Sequence, residues 1–174
     1  FITKVKSPRV VFVRPVSEDD AYEMLLETVK KASNNSSKIC DKPKIHGYIL
    51  APYRQSFHRA KVLDFFEPDE KDCNTKVLIV DFGDEIKVKW QECRILNYQT
   101  RGIKTYIFKI VLDSIEINRE HRDIMVYLND IYQNNEALLI SSVRGDRKVL
   151  KRINGEIVND KINEMAMATS TDNA

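Results

Sequence analysis

Apolar positions along this chain change their period several times, and each change marks an element. Val10 to Val13 is a run of four apolar residues closed by Pro15, the pattern of a short strand. Ser17 then stands as a plausible N-cap, with Glu18, Asp19 and Asp20 in a first turn where the helix dipole favours acids. Tyr22, Leu25, Leu26 and Val29 follow at helical spacing and predict a helix over about 18–33. Asn34 to Lys44 is polar and contains a proline, so it reads as a linker. Beyond it the period becomes extended: Ile45 to Ala51 and Phe57 to Phe66 read as two strands joined by Pro52 to Ser56.

The next stretch, VLIVDFGDEIKV from Val77 to Val88, is the clearest hairpin in the chain. Val77 to Val80 is β-branched-rich, Asp81, Gly83 and Asp84 break it, and Ile86 and Val88 resume an alternating pattern. Gly83 is the natural place for a positive φ, because it has no Cβ to clash. Phe82, one residue earlier, is held at the lip of the turn, either as a plug for the core or as a wall of a binding site. Trp90 to Leu96 reads as a short closing strand or turn. Five short strands in about fifty residues predict a small β-barrel over 41–97.

After Asn97 the pattern shifts again. Thr105 to Leu112 reads as a strand, Arg119 to Tyr132 as a helix over about 119–133, and Ala137 to Val143 as another strand. Val149 to Ile157 fits an edge strand with Asn154-Gly155 as a turn signal. The stretch 159–174 carries too little patterning to predict order. Neither 1–40 nor 98–158 is large enough to bury a core alone, so the two flanks are expected to pack together, with the barrel inserted between them.

Composition narrows the function classes. At 43% hydrophobic and 31% charged, with net charge +2, the chain reads as a globular protein without a global electrostatic drive toward nucleic acid or membrane. No apolar run approaches the roughly 20 residues that span a bilayer, and the first residues lack the apolar core of a signal peptide. Three widely spaced cysteines, Cys40, Cys73 and Cys93, match neither a zinc site nor a disulfide framework, which favours a reducing compartment. His46, His58 and His121 fall on different elements and define no metal site, and the acidic loop Glu67 to Asp72 lacks the spacing of a calcium loop. No metal or cofactor is expected. Trp90, the sole tryptophan, is expected to serve packing. Lys104, Lys109, Arg144, Arg147, Lys148, Lys151 and Arg152 make the C-terminal third locally basic, which keeps single-stranded RNA binding as a lesser alternative. The nearby aromatics Tyr106 and Phe108 lie two apart and are expected on the core face of their strand.

The barrel segments GYILAPY, FHRAKV, VLIVDFGDEIKV and ECRIL resemble the Tudor domain, whose pattern joins an aromatic-rich first strand, a W-Y-R-A-x-V-like second strand and a V-D-Y-G-N-like turn. The resemblance is one of motif over Gly47 to Leu96 and of pattern and length over the flanks. The flanks are similar to the split staphylococcal-nuclease-like module of the OB type that surrounds the barrel in extended Tudor domains. The implied fold class is α+β, mostly β: a five-stranded Tudor barrel inserted between two halves of an OB fold with two helices.

The resemblance also implies a site. In that family an aromatic cage takes up a methylated arginine, typically symmetric dimethylarginine, from tails of Argonaute or PIWI proteins. Carried over by position, Tyr53 supplies one aromatic wall and Phe82 matches the aromatic of the turn. His58 stands in place of a cage tyrosine, and Ile79 where many members have an aromatic. Asp84 replaces the asparagine that normally bonds the guanidinium; it could pair with an arginine or simply cap the turn. Phe57 takes the place of a buried tryptophan, and Arg59 matches a bracing arginine expected to pair with Asp81. The cage is therefore degenerate, with Tyr53 and Phe82 expected to sandwich a guanidinium and His58 and Asp84 at the rim.

A nuclease activity would need acidic calcium ligands and paired arginines, and the flank strands VVFVRPV and TYIFKIVL carry no such cluster. The implied role is a non-catalytic adaptor in small-RNA silencing, in the cytoplasm and in germ granules. Its partner would be an Argonaute/PIWI-family or other Arg-Gly-rich segment, held by a groove between barrel and flank. The alternative is a scaffold or self-association module with a vestigial cage.

Overall fold

The computed structural model describes residues 1–67, 72–115, 117, 122–144 and 147–171. The interior of the acidic loop expected at Glu67 to Asp72 lies outside them, as does His121. The chain divides into two compact units, one built from 1–16 and 107–174 and the other from Ser17–Tyr106. The flanks thus form one unit in chain order around the other. The second unit is wider than the expected 41–97 at both ends.

That widening has a specific cause. Helix α1, Asp19–Asn34, belongs with the barrel and not with the flanks. Its buried stripe Tyr22, Leu25, Val29 and Ser33 has the spacing of a single helical face. Tyr22 donates its hydroxyl to the Asp81 carbonyl at 2.9 Å, and Arg94 donates to the Ser33 carbonyl at 2.6 Å. Ser17 is not the N-cap: a short 3-10 turn, Val16–Glu18, precedes the helix, and the Glu18 side chain makes no capping bond.

Strands β1 (Ile2–Ser7), β2 (Val10–Val13), β3 (Tyr48–Tyr53), β4 (Ser56–Phe65), β5 (Thr75–Ile79), β6 (Asp84–Val88) and β7 (Arg94–Ile95) account for the first part of the chain. In the barrel unit the order is β6-β5-β4-β3-β7, antiparallel throughout. Its core is Ile49, Ala51, Ala60, Val62, Val77, Ile79, Val88 and Cys93. Trp90 opens a second 3-10 turn, Trp90–Glu92, and is half-buried. Helix α2, Tyr98–Gly102, is capped by Asn97, whose side chain accepts from the Thr100 N–H at 2.7 Å.

The flank unit adds β8 (Phe108–Leu112), helix α3 (Arg122–Gln133), β9 (Leu138–Arg144), β10 (Arg147–Arg152) and helix α4 (Val158–Thr171). Its sheet runs β1-β2-β8-β10-β9, with β8 and β10 parallel. The strand expected at the edge, β10, lies inside, and β9 is the edge. Phe108 is 51% exposed while Tyr106 is buried, so the pair does not share a core face. Tyr106 precedes the strand, so the alternation of β8 does not bind it.

Of the C-terminal stretch 159–174, whose patterning is too weak to predict order, the described residues 159–171 lie in helix α4. Val158, Ile162 and Ala166 place one narrow stripe in the flank core beside Ile124, Leu128 and Ile131 of α3. The buried Asn159 locks it: its Oδ1 accepts from the Leu150 N–H at 3.0 Å, and its Nδ2 donates to the Asp113 and Lys148 carbonyls at 2.9 and 3.1 Å. Four helices, not two, stand among the described residues.

Candidate functional site: an aromatic corner on the barrel

Two tight turns bring the site together. β3 and β4 close through a two-residue loop, because Tyr53 pairs directly with Ser56. Arg54 and Gln55 both take positive φ, 46° and 64°, the left-handed pair that matches the twist of a hairpin. Neither is glycine, so each carries a steric cost of about 1–2 kcal/mol. The second turn lies between Ile79 and Asp84, which pair across β5 and β6. There the N–H groups of Phe82 and Gly83 both donate to the Ile79 carbonyl, at 3.1 and 2.8 Å, and Gly83 has φ 77°.

Behind the second turn sits a buried brace. Arg59 forks onto Asp81, Nη2 to Oδ1 at 2.6 Å and Nε to Oδ2 at 2.8 Å. Its Nη1 donates to the carbonyls of Thr100 and Ile103 at 2.9 and 2.6 Å. Both side chains are almost fully buried. A buried charge is tolerable only when paired and hydrogen-bonded, and here both partners are. The brace therefore fixes the turn that carries Phe82.

Phe82, Tyr53 and His58 form one ring cluster. Centroids lie 5.4 Å apart for Tyr53 and Phe82, 5.7 Å for Tyr53 and His58, and 5.0 Å for His58 and Phe82, each pair edge-on or tilted. Tyr22 from α1 backs Phe82 edge-on at 6.3 Å. A flat cation stacked between two ring faces needs about 7 Å between them, given ~3.5 Å contacts on each side. The expected sandwich therefore does not exist. Tyr53 and Phe82, inclined at 59°, make an open corner instead.

A guanidinium already lies against that corner. The Arg54 guanidinium carbon is 4.9 Å from the Tyr53 centroid and 5.3 Å from that of Phe82, within the range of cation–π attraction. Its Nη2 lies 3.9 Å from Asp84 Oδ2. The Tyr53 hydroxyl donates to the same carboxylate oxygen. Burial, followed by this bond to Asp84, raises the Tyr53 hydroxyl well above its ordinary pKa.

His58 is floor more than rim. It is half-buried on β4, and its Nδ1 has no hydrogen-bond partner among the described residues. Burial lowers its pKa below 6.5; Asp81 opposes that shift and Arg54 reinforces it, which favours the neutral ring. Ile79 does not line the site, because it is fully buried in the barrel core, where its β5 side chain faces Ala60. Phe57, expected to be buried, is half-exposed and covered by the Arg94 guanidinium at 4.3 Å. Arg54 was not legible as a site residue, since it is neither aromatic nor on a strand; the two-residue spacing between Tyr53 and Ser56 was its available signal.

Comparison with known proteins accords with this architecture. The extended Tudor domain of BmPAPI superposes with TM-score 0.82 at 15% identity, covering 95% of this chain and 96% of that one. The extended Tudor domain of human TDRD1, in complex with a symmetrically dimethylated peptide, gives 0.79 at 12%, covering 94% and 84%. A complex of Tudor with Aubergine carrying a me2s-modified arginine gives 0.72 at 15%, covering 92% and 95%. At these identities the likeness establishes the extended Tudor fold. No curated protein matches the chain in sequence. The family model for the Tudor domain matches residues 1–114, and the chain accordingly belongs to the Tudor domain family.

Proposed function

We propose that the chain is an arginine-reading adaptor. The corner of Tyr53 and Phe82, floored by His58 and edged by Asp84, takes the guanidinium of an arginine in an Arg-Gly-rich segment. The observation that carries this reading is the placement of the Arg54 guanidinium 4.9 and 5.3 Å from the two rings and beside Asp84. A guanidinium is delocalised and weakly hydrated, so ring faces replace its water at little cost. Symmetric dimethylation leaves one N–H on each terminal nitrogen, so a donor for Asp84 survives the modification. The TDRD1 complex with a symmetrically dimethylated peptide and the Tudor complex with me2s-modified Aubergine support methylarginine as the modified form. By family resemblance, the partner is an Argonaute/PIWI-class tail and the setting small-RNA silencing, in the cytoplasm and germ granules. The role is binding without catalysis.

Calorimetric titration tests this with matched peptides bearing unmodified, asymmetric or symmetric dimethylarginine, against the wild type and Phe82→Ala. The reading expects an arginine peptide to bind the wild type and to lose affinity with Phe82→Ala. Partner association that survives Phe82→Ala while no peptide binds favours a scaffold. That second reading has its own support, in Leu139, Ile140 and Val143 standing exposed on the edge strand β9. RNA binding has less: Arg147 pairs with Asp113, Arg152 with Glu136 and Glu156, and Lys104 with Glu18.

A further inference from the structure

We infer that Arg54 is an internal ligand of the arginine corner, and that any partner arginine binds by displacing it. The inference rests on the reader function proposed above and names how that site is regulated. Three observations carry it. The first is position: Arg54 occupies the volume against Tyr53 and Phe82 that an incoming guanidinium needs, and its Nη2 faces the same Asp84 oxygen. Two guanidinium groups cannot both lie there, by volume and by like charge.

The second is backbone geometry. Arg54 and Gln55 hold consecutive left-handed conformations, which residues other than glycine rarely adopt. Asn-Gly or Asp-Gly would fill such a turn without that strain. The Arg54 side chain, tethered at this turn, folds back onto the ring of the preceding residue.

The third is exposure. The Arg54 side chain is 57% exposed, so it can swing into water without being drawn out of a packed core. It differs in this from the brace residue Arg59, which is sealed at 2%. A tethered competitor of this kind acts at an effective concentration on the order of millimolar. The apparent affinity for a partner then falls by the fraction of time the corner is open. Short or weakly engaging arginine peptides are excluded, and segments that add backbone contacts beyond the guanidinium are favoured.

The test compares the wild type with Arg54→Ala and Arg54→Gln, using an Arg-Gly peptide that carries one symmetric dimethylarginine. Both variants are expected to bind about 5- to 30-fold tighter than the wild type, since the self-occupied state is removed. In the free wild type the Arg54 side-chain protons are expected to be shifted upfield by the rings, and to return to open-chain positions when peptide is added. Equal or weaker binding by both variants overturns the inference, as do open-chain Arg54 resonances in the free protein. Absence of binding in all three proteins contradicts the reader function itself, which an unchanged affinity in the variants does not.

Discussion

Arg59 and Asp81 meet across the barrel as a bidentate pair, 2.6 and 2.8 Å, with both side chains sealed from solvent. Asp81 immediately precedes Phe82, so the pair sets the height of the aromatic corner. Arg59→Ala leaves the Asp81 carboxylate buried without its counter-charge and strips two donors from the Thr100 and Ile103 carbonyls. The expected loss is about 3–5 kcal/mol, read from urea unfolding. Arg59→Lys keeps charge but not the fork, and is expected to lose a substantial part of that stability.

His58 gives the barrel a pH dependence of defined sign. Its pKa is lowered in the folded state, chiefly by burial, so the unfolded chain binds the proton more readily. Its contribution is present at neutral pH and is lost as pH falls through 6.5 toward the lower folded value. Urea midpoints taken from pH 8 down to pH 5 should therefore fall more steeply for the wild type than for His58→Gln. Parallel profiles would show that the ring titrates as freely in the fold as in the open chain.

The cysteines divide by environment. Cys93 is fully buried in the barrel core, and burial, with a lesser contribution from Glu92, pushes its thiol up to about 12. Cys40 is exposed. The thiolate is the reactive species. A maleimide at neutral pH is expected to label Cys40 quickly and to reach Cys93 only on unfolding, as mass spectrometry of the digested protein would report. Rapid labelling of Cys93 under native conditions would contradict its burial in the barrel core.

Helix α4 is expected to contribute strongly to the flank unit. Ile162 is fully buried against the flank core, so Ile162→Ala should cost about 2–5 kcal/mol in unfolding free energy. Asn159→Ala leaves the Leu150 N–H without its side-chain acceptor, at a cost of about 1–3 kcal/mol. Wild-type-like stability in both variants would mean that α4 is not docked.

What could be read in the sequence follows the strength of its local signals. The barrel strands were legible because Val77 to Val80 and Phe57 to Phe66 are β-rich runs bounded by turn residues, and α1 because its stripe repeats at helical spacing. Helix α4 was not, because Val158, Ile162 and Ala166 form a single thin row in a polar segment, and the bonds of Asn159 are tertiary. Strand β1 was missed because Ile2–Ser7 holds two apolar residues, Ile2 and Val5, three apart and without alternation, and it gains order by pairing with β2. At the site, Tyr53, Phe82, His58 and Asp84 were nameable by motif. Their tilt was not, since a 5.4 Å ring separation is set by two turns and a brace. Arg54 was passed over because it is neither aromatic nor on a strand.

The central claim is that the Tyr53–Phe82 corner receives an arginine guanidinium. The most direct measurement is an NMR titration with an Arg-Gly peptide whose symmetric dimethylarginine carries 13C-labelled methyl groups. The account predicts that these methyl resonances move upfield on binding to the wild type, and that Phe82→Ala abolishes both the shift and most of the affinity. Binding with unshifted methyls, or equal binding by Phe82→Ala, would contradict it.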